Sequence, residues 1–292
     1  MRIGVIDVGT NAIHLVVAER TGRQVRMLKH EQALVRLGDG GLVRNRLTMA
    51  AQSRALAVLQ RYAKRLARDR VARIDAVATS AVRDASNGRA FVRVVRRRCG
   101  IPLRIISGEE EARLIFRGAM FLNRFRGQAL MVTIGGGSAQ VMCGSARRLA
   151  AASSVPLGSS RLTQRFLAHD PAQAEDVEAL ARHVRQRWAG LRRSPCRRRW
   201  REALGSSGLI RQVIIAVRRS SDRPMTHASL QRFSAWLSRS TAAQRRRIPG
   251  IDPRRQDLLL ATSVTLLAWM QRWGVGRLRF APGSLREGLL IR

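Results

Sequence analysis

The stretch MVTIGGGSAQV, Met131 to Val141, runs an apolar segment into three adjacent glycines and out again. This reads as strand, tight turn, strand, because glycine alone lets the backbone turn this sharply without a side chain in the way. Bare N–H groups in such a turn form a concavity suited to an anion such as phosphate. A phosphate cradle ordinarily has a carboxylate beside it for the accompanying metal ion. Here the position before Ile134 is Thr133, and two residues past Ser138 comes Gln140.

Working outward, the same idea opens the chain. Residues 2–8 and 13–19 read as two strands around DVGTNA, with Gly9 at the turn. Two copies of strand, glycine turn, strand, each heading one half of the chain, predict an internal duplication into two lobes. Between them, Leu56, Leu59, Tyr62 or Ala63, and Leu66 recur at helical spacing in a segment from Thr48 to Arg68. Ile74 to Ala78 alternates as a strand ending in a Thr-Ser turn. A helix follows around Phe91–Arg98, then the strand PLRIISG, then a helix from Glu109 to Gly118 with acids in its first turn. The pattern is a mixed α/β domain. In the second half, helices are expected at about residues 175–193 and 255–273, on the spacing of Val177, Leu180, Val184, Trp188 and Leu191 for the first. SPCRRRWR and AQRRRIPG read as basic loops or helix ends.

The 292 residues carry 55 basic and 19 acidic side chains, a net charge of +36, with Lys29 and Lys64 the only lysines. Arginine-rich solvated faces explain this charge, and so does a surface that attracts polyanions. With 4% aromatics there is little for bases to stack on, so a nucleic-acid partner is expected only non-specifically through charge. Cys99, Cys143 and Cys196 lack metal-ligand spacing and read as reduced thiols. No apolar stretch reaches bilayer length and the N-terminus has no leader pattern, so a cytoplasmic protein without membrane partners is expected. There is no Walker lysine, GxGxxG, HExxH or CxxC. His14, His30, His169, His183 and His227 lie apart and read as structural or solvated.

Five segments stand out together: IDVGTNAIHLVV, ATSAVRDASNG, ISGEEEARLIFRGA, TIGGGSAQ and GSLREGLL. In this order and spacing they resemble the exopolyphosphatase/guanosine-pentaphosphate phosphohydrolase (Ppx/GppA) family, of the same superfamily as the sugar kinases and actin. VRLGDG at 35–40, VPLGSSRL at 155–162, LGSSG at 204–208 and RQDLLLA at 255–261 extend the resemblance over essentially the whole chain. It implies two ribonuclease H-like lobes, 1–121 and 122–283, with residues 284–292 returning to the first, and a phosphate-binding cleft between them.

The resemblance also implies roles. Asp7, Gly9, Thr10 and Asn11 would form one phosphate loop, and Gly135, Gly136, Gly137 and Ser138 the other. Arg36 and Arg83 match phosphate-binding arginines, whose guanidinium forks suit phosphate geometry. Glu111 matches the catalytic glutamate that takes a proton from the attacking water, with Glu110 as the fallback. On the residues alone, these glutamates read as first-turn helix acids. Relatives usually read DIGGGSTE, so Thr133 and Gln140 replace acids expected to hold or assist Mg²⁺, and Leu209 replaces a usual threonine. Asp7 is then the remaining metal ligand. The implied function is a hydrolase, expected as a homodimer, that removes terminal phosphate from inorganic polyphosphate or from guanosine penta- or tetraphosphate. The alternative is a non-catalytic binder of the same ligands.

Overall fold

Strand β1 (Arg2–Val8) pairs antiparallel with β2 (Ala12–Thr21), setting Asp7 opposite His14, and β2 pairs antiparallel with β3 (Gln24–Leu34). This is a computed structural model, which describes residues 1–22, 24–123, 125, 127–191 and 200–292. Helix α1 (Met49–Arg68) leads to β4 (Arg73–Ala78), and the short α2 (Ser80–Arg83) and α3 (Gly88–Cys99) lead to β5 (Leu103–Ile105) and α4 (Gly108–Leu122). The sheet order is β3-β2-β1-β4-β5, with β4 parallel to both β1 and β5. Helix α1 starts where the sequence suggests, because Thr48 accepts a hydrogen bond from the Ala51 N–H and caps it. Its buried stripe of Ala51, Ala55, Leu59, Tyr62 and Leu66 packs with Phe91 and Val95 of α3 over Ile6 and Leu15 of the sheet.

The second unit repeats this plan. Strands β6 (Gln128–Ile134), β7 (Ala139–Ser145) and β8 (Leu149–Val155) form an antiparallel set, followed by α5 (Ser159–Phe166) and α6 (Ala174–Ala189). Strand β9 (Glu202–Ser206), α7 (Gly208–Arg218), β10 (Met225–Thr226), α8 (His227–Arg239) and α9 (Ala242–Arg246) come next. A 3-10 turn (Pro253–Leu258) runs into α10 (Leu259–Arg272), which is buried on nearly every side, and β11 (Arg277–Phe280) closes the sheet. The order β8-β7-β6-β9-β11-β10 matches the first sheet element for element, plus the terminal β10. Last, α11 (Leu285–Leu290) packs within the first unit, which comprises Met1–Phe121 and Gly283–Arg292, while Leu122–Pro282 form the second.

Several elements lie outside the sequence reading. Strand β3 lacks period-two alternation because it is an edge strand, exposed along most of its length. Its register also slips where Val17 faces Lys29 and Ala18 faces Met27, leaving Leu28 as an extra residue. Strand β9 and helix α5 span only five and eight residues, too short for a period to show. Helix α6 ends at Ala189, before the expected 193, and most of SPCRRRWR, with Cys196, lies outside the described residues. Cys99 is a free thiol, but Cys143 is disulfide-bonded, which corrects the expectation of reduced cysteines. Among the described residues, no helix is long and apolar enough to cross a membrane.

Candidate active site

Both glycine turns are built alike. The Gly9 N–H donates to the Ala12 carbonyl at 3.0 Å, and the Gly135 N–H donates to the Ser138 carbonyl at 2.9 Å. A later loop then ties down the carbonyls of each turn. In the first unit the N–H groups of Val35 and Arg36 donate to the Asn11 carbonyl at 3.0 and 2.8 Å, and that of Gly38 donates to Thr10 at 3.0 Å. In the second, the N–H groups of Ser159 and Arg161 donate to Gly135 and Gly136 at 2.9 and 3.1 Å, and Arg161 Nε donates to the Gly137 carbonyl at 2.9 Å. With its carbonyls engaged, a turn can offer its N–H groups to an anion. This bracketing gives the resembling segments VRLG and VPLG a shared structural task that the sequence alone did not reveal.

The bracket demands close approach. A Cβ on Gly158 would lie 2.3 Å from the backbone of Gly137 and 2.4 Å from that of Gly136. Backbone cannot swing aside as a side chain can. Gly158→Ala is therefore expected to destabilise the protein by about 1–3 kcal/mol, read from its urea midpoint, and to weaken phosphate binding at the turn. Arg36 itself sits in the left-handed region at φ 48°, where a bulky residue is uncommon. Arg54 holds it there by donating to the carbonyls of Val35 and Arg36 at 3.0 and 3.3 Å.

The first unit also gathers charge. Arg83 lies at the end of α2, just past the C-terminal end of β4, and its Nη1 donates to Glu111 Oε2 at 2.9 Å and to the Ile106 carbonyl at 3.2 Å. Glu111 is only 8% exposed although it lies in the first turn of α4. Burial pushes its carboxyl above the ordinary glutamate range, Arg83 pulls it back, and Asp84 adds a smaller push upward. Its neighbour Glu110 turns the other way, accepting from Arg104 Nη1 at 2.7 Å. Asp7 is half-buried at the end of β1, and burial pushes its carboxyl up to about 7 against the pull of Arg286, with Glu111 and Glu287 adding to the rise. The guanidinium of Arg286 is in turn held by His14 Nδ1 at 2.7 Å, His30 Nε2 at 2.6 Å and Ser284 Oγ at 3.0 Å.

In the second unit, Thr133 faces Gln140 across the β6–β7 pair and Ser206 across the β6–β9 pair. Gln140 is 1% exposed, and its Nε2 donates to Ser138 Oγ at 2.9 Å and Ser154 Oγ at 3.2 Å. These residues therefore form a neutral hydroxyl–amide network. Leu209 is buried in the first turn of α7, two residues after Ser207, which caps that helix at an unusual φ of 126°. Among the described residues, no group of three or more His, Cys, Asp or Glu side chains could hold a metal ion. A Mg²⁺ ion needs one or two protein carboxylates when phosphate oxygens and water complete its shell. Asp7 meets that minimum, and Thr133 and Gln140 add no carboxylate to it.

The Ppx/GppA phosphatase family matches residues 15–292. The chain belongs to this family. Exopolyphosphatase 1 of Mycobacterium tuberculosis is 30% identical over 311 residues, covering 100% of this chain and 88% of that one. The crystal structure of an exopolyphosphatase from Cytophaga hutchinsonii superimposes with a TM-score of 0.89 at 28% identity, covering 99% of this chain and 96% of that one. A Ppx/GppA enzyme of Aquifex aeolicus superimposes with a TM-score of 0.81 at 23% identity, covering 100% and 99%, and bears on the fold alone. The fold is thus the paired actin-like α/β architecture of the Ppx/GppA family. Within that frame the structure brings Asp7, Arg83 and Glu111 into one unit with the Gly9–Asn11 turn, and places Gly135–Ser138 in the other. GSLREGLL carries part of the family resemblance, but nothing local in it marks Arg286 for a role. The contact of Arg286 with two histidines from different strands arises only once the sheet is built.

Proposed function

We propose that this Ppx/GppA protein is a phosphohydrolase that releases terminal phosphate from inorganic polyphosphate or from guanosine pentaphosphate. The observation that carries this reading is Glu111, a buried carboxylate raised above its ordinary range and held by one hydrogen bond from Arg83 Nη1. A general base works best when its pKa lies near the operating pH, and burial moves a glutamate in that direction. Ionised Glu111 takes a proton from water as the water oxygen bonds to the terminal phosphorus, and the bridging P–O bond breaks to leave the shortened chain. Arg83 fixes phosphate oxygens while keeping Glu111 oriented. Glycine-turn N–H groups donate to other phosphate oxygens. Mg²⁺, when bound, would neutralise phosphate charge, and Asp7 is the residue that would hold it. Phosphate release from long-chain polyphosphate and from guanosine pentaphosphate, compared at equal concentration, tests the reading and ranks the substrates. Release from neither rejects it.

A second reading, a binder that keeps the cradle without turnover, is favoured by the neutral pair Thr133 and Gln140. The double variant Thr133→Asp with Gln140→Glu separates the two. Both positions are buried, so added acids should destabilise the protein without metal and be stabilised by Mg²⁺, a shift visible in thermal melts. If weak metal binding limits turnover, the variant should release phosphate about tenfold faster at sub-saturating Mg²⁺, the scale on which residues around a metal site act. Binding of polyphosphate without metal should weaken.

A further inference from the structure

Helices α1 and α3 lie side by side over the first sheet, sharing one apolar core beneath them. Neither contains a single acidic residue. Their outward surfaces carry Lys64 and Arg68 on α1 and Arg89, Arg93, Arg96 and Arg97 on α3, all exposed. Among the described residues, none of these six lies within ion-pair distance of a carboxylate, whereas Arg65 beside them pairs with Glu31 and Asp69. Arginine is common throughout this chain, and α5, α7, α8, α9 and α10 also lack acids, but each of these carries at most two exposed cations against the five exposed arginines of α3. Helix α6 opens on Glu175, Asp176 and Glu178 before Arg182, Arg185 and Arg187, and α4 opens on three glutamates. Like charges four residues apart, as at Lys64 and Arg68, Arg89 and Arg93, and Arg93 and Arg97, repel one another on a helix. The fold leaves that repulsion uncompensated, and a polyanion lying along the two helices would relieve it.

We infer that the outer face of α1 and α3 is a docking surface for a long inorganic polyphosphate chain, separate from the residues that act on its terminal phosphate. The large aromatic side chains of these helices, Tyr62 and Phe91, are buried, so the face offers no platform for stacking bases. It offers charge alone. Cations recur along α3 about every 6 Å, four residues at 1.5 Å rise, and a chain of identical charged units can meet such a row in any register. A tripolyphosphate is too short to reach along the row, so the face should discriminate by chain length.

This inference rests on the polyphosphate reading above, and its test keeps the two apart. Affinity for long-chain polyphosphate, tripolyphosphate and duplex DNA is measured across a salt series. The proteins compared are wild type, a face variant (Arg89→Gln, Arg93→Gln, Arg97→Gln) and a control of equal charge (Arg182→Gln, Arg185→Gln, Arg187→Gln). The expected result is a long-chain affinity at least about tenfold lower in the face variant, with a salt slope smaller by about 2, since each lost phosphate contact removes about 0.7 on a single strand. Tripolyphosphate binding and phosphate release from it should match wild type, and the control should bind the long chain within about twofold of wild type. Equal weakening in both variants would assign the effect to diffuse charge and overturn the inference. A selective loss of DNA binding would also overturn it and make the face a nucleic-acid surface. Absent phosphate release in all three proteins would reject the hydrolase reading instead, leaving the docking surface to stand or fall on the salt titration.

Discussion

Glu111→Gln is expected to lower phosphate release by about 10²–10⁴-fold while leaving polyphosphate binding nearly intact. The amide keeps the shape of the carboxyl, and its oxygen can still accept from Arg83, so only the proton acceptor is lost. The pH dependence carries a sign. Because burial raises the Glu111 pKa, the wild-type rate should fall on acidification through a value above the ordinary glutamate range. Stability runs the opposite way. A carboxyl with a raised folded pKa contributes its full stability below the unfolded pKa and loses it as pH rises through the folded value. The glutamine variant should therefore be at least as stable as wild type at pH 8 while far less active, measured by urea midpoints beside turnover. Loss of both together would make Glu111 a structural residue.

Arg83→Ala carries the second largest effect. Its guanidinium donates to Glu111, and its charge holds that carboxyl down against burial. Removing it should move the acid limb of the pH–rate profile to higher pH. It should also weaken every phosphate ligand about tenfold to a hundredfold, the range for a hydrogen bond to a charged group. Arg83→Lys restores charge without the fork, so the pH limb should return further than the affinity does. An alanine variant with an unmoved acid limb would break the proposed link between Arg83 and the base.

What was legible in the sequence followed from local physics. The glycine turns announce themselves as glycines set between apolar strands, where a Cβ on Gly9 or Gly135 would crowd the carbonyl of Ala12 or Ser138 at 3.0 or 3.3 Å, and α1 is marked by an apolar stripe and a threonine cap. The duplication was visible as two strand–turn–strand signals and is complete in the matching sheet orders. Strand β3 was illegible because an exposed edge needs no alternation and a bulge breaks the little it has. The site divides in the same way. On local chemistry Glu109, Glu110 and Glu111 are equivalent first-turn acids, and only family resemblance singled out the third. The fold separates them by burial, turning Glu110 to Arg104 and Glu111 to Arg83. Arg286 and the loops that bracket the glycine turns stayed hidden because their partners lie far away in sequence.

The most direct test of a Glu111-driven phosphoanhydride hydrolase measures phosphate release and polyphosphate binding together, in wild type and Glu111→Gln, across a Mg²⁺ series. The account predicts wild-type release that rises with Mg²⁺ and nearly vanishes in the variant, while both proteins bind the chain alike. Tight binding by wild type with no release at any Mg²⁺ concentration would contradict it.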